Sequence, residues 1–290
     1  METWAEKAIR VLPLIQLMED NMDAPNRPSY AGSAALERNN TMKKSVLLLT
    51  MVLVLFAPGR AAAQLKLLVG GAMTEPAKKV GAGFKNNLTS DTSGALQNKL
   101  RAGEKADVII VAAPTMDALE KENRIVPGTR VDLARGLIGV GMRPGAKAPD
   151  LSSADAFKKS MLAAKSVSYV DPKAGGTSGT YINGLFQKMG IAQEMQKKTV
   201  FRNQGSEVAD AIAKGDAEIG ITFTSEMINN KGVKLAGLLP DAIQLPTIYT
   251  GAVPTGAPNP DGGRAFLKAL KAPAGLAAIK EAGLEPIPGH

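Results

Sequence analysis

From residue 65 onward the chain alternates short apolar runs with amphipathic stretches of helical length, and few architectures accept that pattern. Apolar runs with no polar alternation belong to strands covered on both faces, and helix-length connections between them are what a mostly parallel sheet requires. Strands are predicted at residues 65–69, 108–111, 137–141, 166–170, 218–221 and 248–253. Helices are predicted at 75–84, 94–101, 116–122, 153–163, 178–189, 206–214, 225–229, 262–270 and 274–281. The fold class is therefore α/β, and 290 residues suffice for two lobes, each with its own core.

Composition removes several classes of function. The chain has no Cys, and its one His is the last residue, His290, so a folded core lacks the usual ligands of zinc, copper and haem. The same absence leaves no Ser-His-Asp or Cys-His arrangement, and no catalytic residue, cofactor or metal is expected. Aromatic residues are 4% of the chain, which leaves little stacking surface for bases. Beyond residue 63 there are 28 basic against 21 acidic residues, with Lys and Arg in ones and twos and never in a run of four. That distribution reads as solvated helix faces in a mildly positive field, which collects anions without forming a nucleic-acid footprint.

Residues 42–63 read as a secretory signal: Met42, Lys43-Lys44, an apolar run over 46–57, a Pro58-Gly59 break, then Ala61-Ala62-Ala63. The run is shorter than the roughly 20 residues a membrane span needs. Cleavage after Ala63 is expected, and residues 1–41 are taken as an over-extended, unstructured start. The protein is expected in the periplasm.

Three strand ends lead into helices through small or hydroxyl residues: Gly70-Gly71-Ala72-Met73-Thr74, Asp91-Thr92-Ser93-Gly94, and Asp171 to Gly179. In open α/β sheets ligands settle at such mouths, where helix N-termini present unpaired N–H groups. The third is the strongest. Gly175-Gly176 allow close backbone approach, and Thr177-Ser178 offer hydroxyls and an N-cap. A plain β-α turn with a Ser cap is the alternative. Ser178 misses the G-x-S-x-G elbow by one residue, since Thr180 stands where the second Gly belongs. Gln204-Gly205-Ser206-Glu207 opens a helix in the same manner as Thr92-Ser93. Paired carboxylates for acid–base work are not evident.

The order of these features resembles the periplasmic molybdate-binding protein superfamily, the type II solute-binding proteins of ABC importers. The likeness is carried by residues 67–74, Thr92-Ser93-Gly94-Ala95-Leu96, Lys105-Ala106-Asp107-Val108-Ile109-Ile110, Asp171-Pro172, 205–211 and Asp216-Ala217-Glu218-Ile219-Gly220-Ile221. It implies the type II periplasmic-binding-protein fold, two α/β lobes with a ligand cleft between them, the first completed by the last helices. Lobe one is then 64–141 plus 248–290, and lobe two 142–247. By position, the resemblance puts ligand contacts at Ala72, Met73, Thr92, Ser93, Gly175, Gly176, Thr177, Ser178, Gly205, Ser206 and Phe223. Two positions depart from the molybdate binders: Ala72 or Met73 replaces a first-turn Ser, and Phe223 replaces an aromatic hydroxyl. A buried dianion needs nearly every oxygen hydrogen-bonded, so the losses favour an organic carboxylate.

The expected protein is a non-catalytic, monomeric binder that closes its lobes on a small anionic solute and delivers it to an ABC permease in the inner membrane. Arg130, Arg143 and Arg202 are the cations in question for the ligand. A molybdate- or tungstate-type oxyanion binder stays open as an alternative. So do an exported hydrolase or lyase on the same fold, which lacks a recognisable base, and a sensor partner that passes its closed form to a membrane receptor.

Overall fold

A computed structural model of the chain describes residues 64–289; the signal expected at 42–63 and the segment before it lie outside these residues. Two sheets organise the molecule. In the first, β1 (Leu65–Gly70) lies between β2 (Asn86–Asp91) and β3 (Val108–Ala112), parallel to both. Next come β10 (Thr247–Ala252), antiparallel to β3, then β4 (Val131–Gly136) and the short β11 (Glu285–Pro286). The second sheet runs β7 (Thr199–Arg202), β6 (Val167–Val170), β8 (Ile219–Phe223), β5 (Ile138–Met142) and β9 (Lys234–Leu238), with β6 parallel to β7 and β8.

The apolar runs fill both faces, as their lack of alternation requires. On the first sheet Leu67, Val69, Val108 and Ile110 share a core with Ala77 of α1 (Thr74–Gly81), Phe266 and Leu270 of α8 (Pro260–Lys271) and Ile279 of α9 (Pro273–Glu281). Leu68, Ile109 and Val111 face the other way, onto Leu96 and Leu100 of α2 (Ser93–Arg101) and Met116 and Leu119 of α3 (Ala113–Lys121). The chain's last helices thus pack on the first sheet, and Phe266 meets Phe84 edge-on at 5.3 Å. In the second lobe Phe157 of α4 (Ala154–Ala163) stacks on Phe186 of α5 (Thr177–Lys188), centroids 6.4 Å apart. A short α6 (Ala192–Gln196) follows, and α7 (Gly205–Lys214) covers the opposite face with Ala209 and Ile212.

The crossing from sheet to sheet comes earlier than the expected boundary after Gly141. Leu137 alone separates β4 from β5, and every residue of β5 pairs with β8 in the second sheet. The chain returns through a 3-10 turn (Asp241–Ile243) into β10. The predicted helix at 225–229 is a 3-10 turn (Thr224–Glu226), displaced towards the strand end.

Candidate functional site

Four N-terminal ends converge on one small cavity between the sheets. They are the 3-10 turn after β1 (Gly71–Met73), α2, α5 and α7. The cavity, of about 20 Å³, is lined by Gly71, Asp91, Thr92 and Ser93 from the first lobe, and by Val170, Gly176, Ser178, Gln204, Gly205, Phe223 and Glu226 from the second. Tyr249 of β10 completes the wall. Room for about one water remains at that size. A recess of about 590 Å³ shares Gly71, Gln204 and Glu226 with it and is further lined by Thr74, Lys78, Ser90, Ser206, Asp210 and Lys231.

The sequence-predicted residues divide among these surroundings. Thr92, Ser93, Gly176, Ser178, Gly205 and Phe223 line the inner cavity, and Ser206 lines the recess. Ala72 and Met73 do not: both are buried in the hydrophobic core, and Gly71 provides the wall instead. Gly175 adopts a left-handed conformation (φ 72°) and packs on Gly94 of the first lobe, and Thr177 stands outside the lining. The N-cap expected from Thr177-Ser178, and with it the alternative of a plain Ser-capped turn, is also absent. Gly176 is the N-cap of α5 and makes no side-chain cap hydrogen bond, and neither does Gln204 at the start of α7. Their first-turn N–H groups lack a side-chain acceptor and point where an anion gains from the helix dipole.

Hydroxyls surround these ends. Ser93 Oγ accepts from Ala112 N at 3.1 Å, leaving its own proton to donate. Thr92 caps α2 by accepting from Ala95 N at 3.2 Å and donates to Ala174 O of the opposite lobe at 2.5 Å. Ser178 Oγ lies 3.3 Å from Thr222 Oγ1, which donates to Glu226 Oε2 at 2.5 Å. Burial and the neighbouring Glu226 charge hold the Tyr249 hydroxyl well above its ordinary pKa, so it is a donor throughout the physiological range. Its ring meets Phe223 edge-on at 5.5 Å. Tyr249 thus brings an aromatic hydroxyl to the cavity wall beside Phe223.

Glu226 escaped the sequence reading. The residue as a whole is half-buried, but its carboxyl group is enclosed, and a Cβ on either Gly71 or Gly205 would collide with its oxygens. Loss of hydration raises its pKa to about 7, against the lowering effect of hydrogen bonds from Thr222 and the Phe223 backbone. The cavity wall carries two carboxylates, Asp91 and Glu226, and no Lys or Arg. Arg130 is held by Asp117 and Glu120 at 2.6 Å each, Arg202 by Asp216 at 2.8 Å, and Arg143 lies beside Gly215, all away from that wall.

The chain matches the bacterial extracellular solute-binding protein family over residues 65–285. It is 32% identical over 221 residues to an aconitate isomerase of a Pseudomonas species, covering 74% of this chain and 82% of that protein. It is 25% identical over 251 residues to the molybdate-binding protein ModA of Rhodobacter capsulatus, covering 84% and 96%. In structure it is similar to the periplasmic molybdate-binding protein of Azotobacter vinelandii, with a TM-score of 0.64 and 18% identity over 78% of this chain and all of the other. A two-lobe α/β fold whose helix ends converge on a cavity between the lobes, and a family match that spans both sheets, agree: the chain belongs to the bacterial extracellular solute-binding proteins.

Proposed function

We propose that this protein is an exported binding protein that captures a small organic carboxylate between its lobes and hands it to an ABC permease. One lobe comprises 64–136 with 247–289 and the other 138–238, following the two sheets. The observation that carries this reading is the convergence of four N-terminal ends, three of them without side-chain caps, on one cavity from both lobes. Oriented N–H groups and hydroxyl donors solvate a carboxylate without a dedicated cation. With room for about one water in the inner cavity, the lobes separate to admit the solute and close over it.

Two features favour an organic acid over a bare oxyanion. A compact dianion would place all its charge in the inner cavity beside Glu226 and Asp91, whereas an extended polycarboxylate spreads its charge into the 590 Å³ recess. The 32%-identical relative is named for aconitate, an unsaturated tricarboxylate. A second reading, isomerisation of the captured carboxylate in place, is favoured by that name and by the desolvated carboxyl of Glu226 on the cavity wall. Thermal-shift screening of the purified protein tests the first reading: aconitate and related polycarboxylates raise the melting temperature, by about 2.7 kcal/mol of stabilisation at a hundredfold excess over Kd. Stabilisation by molybdate or sulfate, with none by the carboxylates, would overturn it.

A further inference from the structure

The sequence offers no general base of the usual kind, because it has no Cys and its one His is the last residue. The fold supplies another. Glu226 closes the boundary shared by the inner cavity and the 590 Å³ recess, so its carboxyl faces any solute that spans the two. Among the ion pairs of the described residues none involves Glu226. Its oxygens are steadied by Thr222, which Ser178 in turn approaches, and glycine at positions 71 and 205 leaves the carboxyl the space it occupies. A carboxylate needed only for structure would gain from a cation, and among the described residues no ion pair supplies one.

We propose that Glu226 is a catalytic acid–base residue that moves a proton along the carbon skeleton of an unsaturated polycarboxylate bound in the cleft. The inference rests on the carboxylate reading above. The ionised carboxylate takes a proton from a CH₂ carbon flanked by a carboxylate and a C=C bond. The C–H electron pair becomes part of a delocalised dienolate, whose charge spreads onto the substrate carboxylate held at the uncapped ends of α5 and α7. Protonated Glu226 then returns the proton to the far carbon of the allylic unit. One C–H bond breaks and one forms, the double bond moves to the adjacent carbon pair with its geometry set anew, and the composition is unchanged. No oxidant, metal or co-reactant enters.

A proton-transfer group works best with a pKa near the operating pH, and desolvation has brought this carboxyl to about 7. The other titratable groups facing the two cavities are Asp91, Tyr249, Glu75, Lys78, Asp210 and Lys231; Lys78 is already paired to Glu75 at 2.8 Å.

The test follows cis- and trans-aconitate by proton NMR with the wild-type protein and with Glu226→Gln, beside calorimetric binding of both. The wild type interconverts the isomers at a rate that rises with pH through about 7 and then levels, as Glu226 ionises. Glu226→Gln still binds and loses activity by about 10²- to 10⁴-fold. Glu226→Asp, which keeps the acid but shortens its reach, retains a part of the rate. Binding by the wild type with no interconversion at any pH overturns the catalytic role and leaves the binding function standing. Activity in Glu226→Gln within about tenfold of wild type overturns it as well. Failure of the wild type to bind either isomer removes the carboxylate reading, and this inference with it.

Discussion

At Glu226 the carboxyl loses most of its water and gains hydrogen bonds from Thr222 and the Phe223 backbone that offset only part of that loss. The folded chain consequently holds this proton more tightly than the unfolded chain does, where the value is an ordinary 4.5. Its contribution to stability is fully present below that value and is lost as the pH rises through about 7, an effect of roughly 3 kcal/mol. Glu226→Gln removes the titration, so the variant melts about 6–12 °C above wild type at pH 8 and close to it at pH 4. Melting curves of the two proteins across that range check this, and parallel curves would show that the carboxyl is not desolvated. Nothing at the level of sequence marks the residue: Thr224-Ser225-Glu226 reads as an ordinary helix start, and burial by Gly71 and Gly205 comes from chain segments far away. Tyr249 was hidden for the same reason, since only the pairing of β10 beside β3 and β4 sets its ring against Phe223.

Among elements, the starts of α2 and α5 matter most, because they join the lobes directly. Gly94 N donates to Gly175 O at 3.1 Å and Thr92 Oγ to Ala174 O at 2.5 Å, both across the cleft. Thr92 is also the cap of α2. Thr92→Val removes cap and bridge together while nearly preserving volume: the cap accounts for about 1 kcal/mol of stability. The bridge accounts for about 0.5–1.5 kcal/mol of the closed form, so solute affinity falls by roughly 2- to 12-fold. Titration of the variant beside its melting curve separates the two, and unchanged affinity would mean that the bridge does not belong to the closed, solute-bound form. The helices and inner strands were legible because burial on both faces leaves unbroken apolar runs, as in β3 and β8. The missed strands are those at or near sheet margins. β2 (Asn-Asn-Leu-Thr-Ser-Asp) has one apolar residue and β4 is interrupted by Asp132 and Arg135, because exposed positions there carry no hydrophobic requirement.

For the whole molecule, the two-lobe α/β organisation was readable from the alternation of runs and from the resemblance. The cleft was readable as a set of strand-end turns. Its wall was not, since which side of a turn faces the cavity depends on the packing of two lobes. Ala72 and Met73 turn into the core while Gly71 lines the cavity, and Ser178 enters it while Thr177 does not. That last contrast gives the most direct measurement: calorimetric titration of aconitate into wild type, Ser178→Ala and Thr177→Ala. Ser178 donating to a charged oxygen predicts one solute bound per chain and a loss of about 1.5–3 kcal/mol, roughly 10- to 150-fold, in Ser178→Ala. Thr177→Ala keeps the wild-type affinity. Equal affinity in Ser178→Ala and wild type, or a loss confined to Thr177→Ala, would contradict capture of a carboxylate at the cavity between the lobes.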